Sequence, residues 1–124
     1  MKPVRIEMKR IKGFNLQQES KKINGLEAVF CARPSKYGNI FKIVKVNERD
    51  EGYFVINIYN NLKIFHSFIR ELEILKSLEL YEDYIKRYPE NLERVKKLKN
   101  RNLACYCKLS EKCHCDILLK ISNE

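Results

Sequence analysis

The hydrophobic period of this chain changes near Leu62, and that change limits the available folds more than any other feature of the sequence. Before it, Phe41-Lys42-Ile43-Val44-Lys45-Val46 and Tyr53-Phe54-Val55-Ile56-Asn57-Ile58 alternate apolar and polar positions. That alternation puts successive side chains on opposite faces of a strand. The polar stretch Asn47 to Gly52 supplies a turn between them, so the pair predicts a hairpin. After it, Leu62, Phe65, Ile69, Leu72 and Leu75 recur at three- and four-residue steps, the spacing of one helix face. Tyr81, Tyr84, Ile85 and Tyr88 continue as a second helix that should stop before Pro89, which suits the first turn of a third. Leu92, Val95 and Leu98 would face inward there.

The remaining segments are shorter. Val4 to Met8 alternates weakly and reads as a first strand, and Leu26 to Ala32 fits a buried strand. Between them, Gly13 to Gly25 is polar and reads as a loop or short exposed turn. Leu103 to Cys107 reads as a last strand and Asp116 to Ser122 as a short closing helix. Strands first, helices next, then a strand and a helix predict an α/β or α+β fold. The expectation is a single domain over residues 1–124, with a mixed sheet of about five strands, a helical insertion and a C-terminal strand–helix unit.

At 124 residues the chain can bury one core without obligatory staples. No run approaches the ~20 apolar residues of a membrane span. The charged start Met1-Lys2-Pro3-Val4-Arg5 leads into no apolar signal segment, so a cytoplasmic protein with no membrane partner is expected. The net charge is +9 and unevenly spread. Residues 1–22 hold seven Lys/Arg against two Glu, and residues 61–101 hold ten against seven acids. Arg94, Lys96, Lys97, Lys99 and Arg101 form a run without an acid. Such charge attracts polyanions, nucleic acid and nucleotides among them, although a solvated helix face has the same composition.

The chemistry is concentrated near the C-terminus. Four of the five cysteines and one of the two histidines fall within residues 105–115. An odd count in a chain without a secretory signal argues against a disulfide framework and for a metal or thiol site. In a strand, Cys105 and Cys107 share a face with Cα atoms ~6.5 Å apart. Cys113 and His114 arrive five residues later at a helix start. Cys105, Cys107, Cys113 and His114 together make a complete tetrahedral zinc set, with Cys115 as a spare. Two other readings stay open: buried cysteines that act as small hydrophobes, and a reactive Cys113 whose thiolate the helix N-terminus stabilises. Asp116 suits a helix cap, an orienting partner for His114, or an acid acting on a substrate.

A second segment has ligand-binding character. Arg33-Pro34-Ser35-Lys36-Tyr37-Gly38-Asn39 follows an apolar strand. Arg33 can grip phosphate with a two-bond fork, Gly38 lets backbone approach a ligand, and Asn39 offers a donor and an acceptor. A tight turn is the alternative. His66 reads as scaffold on a helix beside Phe65 and Phe68, and Tyr81, Tyr84 and Tyr88 read as core and rim.

Together the two segments resemble a small family catalogued as a domain of unknown function and found in phages, bacteria and plants. Its members share Arg-Pro-Ser-x-x-Gly-Asn-Pro-Phe after a strand, then Leu-x-Cys-Trp-Cys, a loop and Cys-His-Gly-Asp before an apolar helix. Here these read Arg33-Pro34-Ser35-Lys36-Tyr37-Gly38-Asn39-Ile40-Phe41, and Leu103-Ala104-Cys105-Tyr106-Cys107 followed by Cys113-His114-Cys115-Asp116. Ile40 stands where the family has Pro, and Cys115 where it has Gly. The resemblance implies that Arg33, Ser35, Gly38, Asn39, Cys105, Cys107, Cys113, His114 and Asp116 belong to one site.

Two functions follow as expectations. In the first, a protein of phage or A/T-rich origin binds a nucleotide-like or nucleic-acid ligand, with Arg33, Ser35, Gly38 and Asn39 holding phosphate. It would either sequester the ligand or act on a nucleoside or phosphate bond through His114 or Asp116 as acid/base. In the second, zinc stabilises a basic module that contacts nucleic acid or an acidic protein partner.

Overall fold

The computed structural model describes residues 2–46 and 52–124. In chain order the elements are β1 (Arg5–Glu7), α1 (Leu16–Asn24), β2 (Ala28–Phe30), β3 (Phe41–Lys45), β4 (Tyr53–Asn57), β5 (Lys63–Ser67), α2 (Arg70–Arg87), α3 (Pro89–Lys96), β6 (Asn102–Cys105) and α4 (His114–Ser122). The class is the mixed α/β one expected, but the six strands divide into two sheets of three rather than one sheet of about five. Chain connectivity explains the division. β3, β4 and β5 are consecutive and pair antiparallel through local turns, whereas β1, β2 and β6 come from distant segments and pair parallel. Parallel neighbours need crossover connections, and α1 lies in the one between β1 and β2.

In the parallel sheet β6 is central, with Ile6 opposite Ala104 on one side and Val29 opposite Leu103 on the other. All four β6 residues are buried, as a strand covered on both faces requires. The polar one, Asn102, is fully hydrogen-bonded. Its Oδ1 accepts from Val4 N and Asn24 Nδ2 at 2.9 Å each, and its Nδ2 donates to Ser20 Oγ and Asn24 Oδ1 at 2.8 and 2.7 Å. This amide network fastens α1 to the sheet where apolar contact is sparse.

Three elements differ from the sequence reading. The segment expected to be a loop contains α1, because Asn15 caps it through Gln18 N and Gly25 (φ +79°) ends it with a bond to Lys21 O. Its polarity is that of a surface helix anchored by Ser20 and Leu16. Leu62 and Phe65 are not helical: the Asn60-Asn61 turn, with Asn61 at φ +58°, closes a second hairpin into β5. His66 therefore sits in a strand, its ring 4.9 Å from Phe54 and 5.1 Å from Phe68. The helices expected on either side of Leu75–Tyr81 are one continuous α2, which breaks before Pro89 because a residue preceding proline disfavours helical backbone. Tyr81 is buried, Tyr84 half-buried and Tyr88 exposed, the expected core-to-rim order.

The last strand is shorter than expected, ending at Cys105, and α4 starts two residues early. The turn expected at Asn47–Gly52 lies outside the described residues up to Gly52. There φ is +98°, and a Cβ would meet the Ser67 carbonyl oxygen at 2.5 Å, so only glycine fits. Among the described residues, no helix is long and apolar enough to cross a membrane.

Replacing Asn102 with Ala removes four hydrogen bonds in one step and leaves the Val4 N–H without its partner, while Ser20 Oγ and the Asn24 amide keep their bonds to Leu26 and Lys2. Each unsatisfied group costs about 1–3 kcal/mol. Urea unfolding of Asn102→Ala should show a loss of roughly 2–4 kcal/mol with an unchanged m-value; a loss below about 1 kcal/mol would mean water replaces the amide.

Candidate functional site

Both parallel strands flanking the site end at the same edge of their sheet. β6 delivers Cys105 there, and β2 delivers Cys31, whose N–H bonds the Ala104 carbonyl at 2.8 Å. Facing them is the start of α4, where Cys113 is the N-cap. The Cys105 and Cys113 sulfurs lie 2.9 Å apart. Cys105, Cys113 and Cys115 place all three sulfurs within 4.8 Å of one another, and all three residues are buried. Cys107 reaches both Cys105 and Cys113 from a half-buried position, and Cys31 reaches Cys115. All five cysteines of the chain thus converge, and all are free thiols. Cys115, a spare in the sequence reading, belongs to the innermost group. Cys31, which no spacing rule connects to the others, is brought in by the strand pairing.

The cluster distributes its protons unequally. Contacts from Cys105, then Cys107 and Cys115, hold Cys113 far below the usual thiol range despite burial. Cys107 and Cys115 are pushed up, chiefly by their contact with Cys105. Cys105 is lowered to about 7, mainly by Cys107. Burial alone would depress His114, but the contact and charge of Cys113 raise it above its ordinary value. Its Nε2 lies 2.7 Å from the Cys31 carbonyl oxygen, which can only accept, so that nitrogen carries a proton. Its Nδ1 faces Cys113 Sγ at 3.6 Å.

Arg5 supplies the compensating charge. Its side chain is 7% exposed, and its Nε lies 3.5 Å from Asp116 Oδ1. Nη2 donates to the carbonyls of Lys108, Leu109 and Glu111 at 3.2, 2.9 and 2.8 Å. Burial works against its charge, but Cys113 and Asp116 more than offset this. Asp116 closes a capping box, its Oδ2 accepting from Cys113 N at 3.2 Å. That carboxylate is engaged with Arg5 and the cap.

A cavity of about 370 Å³ opens beside the thiols. Arg33, Asn39, Cys105, Cys107, Cys113 and His114 all line it, so the two sequence segments do share one wall. Ser35, Gly38 and Asp116 do not line it. The Ser35 hydroxyl is buried without a hydrogen bond. Gly38 serves its neighbour: a Cβ there would lie 2.8 Å from Arg33 Cγ. Asn39 spends its side chain on the fold, accepting from Phe41 N at 2.8 Å and donating to Ser77 Oγ at 2.9 Å. Arg33, by contrast, makes one bond, from Nη1 to the Asn39 carbonyl at 3.1 Å, and keeps donors free.

Lys42, Arg70 and Lys112 also line the cavity, against Glu111 as its one acid. None of these three stood out in the sequence, since each is one cation among many. The cations can therefore accept an anion, while the buried cysteine cluster beside them could hold a metal.

Arg5→Met keeps the apolar stem and removes the donors to the 108–111 carbonyls. Hydrogen bonds from a charged donor are worth about 1.5–3 kcal/mol, so amide exchange across residues 107–113 should accelerate at least ~10-fold while β3–β5 is unchanged. Unchanged exchange in 107–113 would show that other contacts hold this loop.

No curated protein and no solved structure matches the chain. A family model does, over residues 14–124, a span that takes in the cavity and all five cysteines but leaves out Arg5. The chain belongs to that family, described as a domain of unknown function (DUF4326).

Proposed function

We propose that this protein binds a nucleotide-like, phosphate-bearing ligand in the cavity between the Arg33 loop and the cysteine segment. One observation carries the reading: four cations from four separate chain segments, Arg33, Lys42, Arg70 and Lys112, line one concavity that contains a single acid. Its volume of about 370 Å³ falls in the ~300–1,000 Å³ range of small-molecule sites. Convergent cations lining one concavity favour a multiply charged anion over a neutral metabolite. Arg33 and Arg70 offer the forked donors that match phosphate oxygens. If the ligand is turned over, His114 is the acid/base candidate with access to it, because it lines the cavity and Asp116 does not. Sequestration needs neither.

Calorimetric titration with nucleoside mono- and diphosphates, dinucleotides and cyclic nucleotides should find at least one binder. Removing a charge-assisted hydrogen bond of about 1.5–3 kcal/mol makes Arg33→Ala and Arg70→Ala each weaken it by ~10–100-fold. A Lys96→Ala/Lys97→Ala double variant, altered on the exposed face of α3, should bind as wild type. Failure of every phosphate compound at millimolar concentration would remove the reading.

A second reading, the zinc-stabilised basic module, is favoured by the three buried sulfurs within 4.8 Å of one another. Thiolates so gathered suit zinc, which in structural sites contributes directly to folding. Protein purified without a metal-binding tag should then carry about one zinc per chain, and a strong chelator should lower its melting temperature. Five titratable thiols in metal-free protein, with no response to chelator, would discard the module.

A further inference from the structure

We infer that Cys105 and Cys113 form a modification site, a dithiol that a peroxide closes into a reversible disulfide at the wall of the cavity. The inference needs neither the phosphate-bearing ligand nor zinc.

Contact selects this pair among the five thiols. The two sulfurs lie 2.9 Å apart, within about 1 Å of the ~2.05 Å of a disulfide. Cys115 is placed only within 4.8 Å of both. The backbone on each side imposes the contact. Cys105 ends β6, where its carbonyl accepts from Met8 N at 2.8 Å. Cys113 is the N-cap of α4, held there by both the N–H and the carboxylate of Asp116.

Access selects the pair as well. Cys105 and Cys113 are nearly sealed from bulk solvent, at 1% and 2% exposure, yet both line the cavity of about 370 Å³. Cys31 and Cys115 are fully buried and line no part of it. Hydrogen peroxide, little larger than water, can therefore reach Cys105 and Cys113 from the cavity. Cys107 lines it too, and the sulfur–sulfur contact then decides which thiols pair.

The step balances on two thiols and one peroxide. Hydrogen peroxide transfers one oxygen to the first sulfur, giving a sulfenic acid and one water. The second sulfur displaces that oxygen as another water, and the S–S bond forms. Two electrons pass from the sulfurs to the peroxide, and both thiol protons leave in the waters. Disulfides in reducing compartments are typically transient ones of this kind. The bond closes a ring over residues 105–113, and Tyr106, Cys107, Glu111 and Lys112 of the cavity lining lie inside it. Oxidation thus acts on the segment that carries Lys112.

The test treats the reduced full chain, as purified, with hydrogen peroxide and then alkylates the remaining thiols. Peptide mapping without reduction should find one internal disulfide, Cys105–Cys113, leaving three of the five thiols. Dithiothreitol should restore all five. In denaturing urea the same treatment should give a mixture of pairings, because the fold makes the choice. Cys107→Ser should keep the Cys105–Cys113 link. A native product that joins another pair or two chains overturns the inference, and so does loss of the link in folded Cys107→Ser. Survival of all five thiols, both without and with a chelator to strip any shielding metal, overturns it as well. Where Cys107→Ser does not fold, the wild-type map decides alone.

Discussion

Burial of β6 between two parallel neighbours is the constraint on which the rest depends. A central parallel strand must be covered on both faces and paired on both edges, and its four residues meet that demand completely. Because β1, β6 and β2 run the same way, their carboxyl ends share one edge of the sheet. That edge is where open α/β sheets place ligand sites. Here it receives Cys31, Cys105 and the loop bearing Arg33. The antiparallel sheet and α2 supply the facing wall through Lys42 and Arg70. The site is thus a consequence of strand direction: reversing β2 relative to β6 would put Arg33 and the thiols at opposite ends of the molecule.

Two groups of opposite electrostatic character meet at the cavity. One is the set of thiols Cys105, Cys107 and Cys113, with Arg5 held against Cys113. The other is the set of cations Arg33, Lys42, Arg70 and Lys112, which line the same cavity. Arg5 separates the roles, since it is buried against the 108–111 carbonyls and Asp116 rather than offered to a ligand. Cations that line a cavity and keep donors free are the recognition groups of the ligand site we propose. A cation spent on carbonyls and a cap holds the architecture. Arg33 and Arg5, alike in sequence, fall on opposite sides of that distinction.

Much of this was legible from local pattern. The β3–β4 pairing, the break at Pro89 and the final strand and helix follow from period and proline geometry, which are local. The α1 helix was missed because its mean polarity masked the Asn15 cap and Gly25 stop. β5 was missed because Leu62 and Phe65 happen to continue a helical spacing that the Asn60-Asn61 turn overrides. At the site, motif spacing found the four C-terminal cysteines and Arg33. Cys31 and Arg5 were invisible for a different reason: each reaches the cluster only through parallel pairing across more than seventy residues, and no sequence window spans such a pairing. Gly38 and Asn39 were legible as special residues but not in their function, since a close approach to Arg33 and a tie to Ser77 depend on packing.

The same reasoning separates net charge from charge that can act. The conspicuous basic run, Arg94 to Arg101, is exposed around buried Val95 and Leu98 on α3 and the turn after it, the pattern of a helix face turned to solvent. It contributes nothing to the cavity beside the thiols. The cations that do line that cavity are scattered through the chain, one each from the Arg33 loop, β3, the first turn of α2 and the segment before α4. A run of lysines on a convex, solvated surface is screened beyond about 10 Å at ordinary ionic strength. Four cations converging on a concavity, each of them exposed, can act together on one guest. Convergence imposed by the fold, more than the chain's charge of +9, is the reason we propose a compact multiply charged anion rather than an extended polyanion as the ligand.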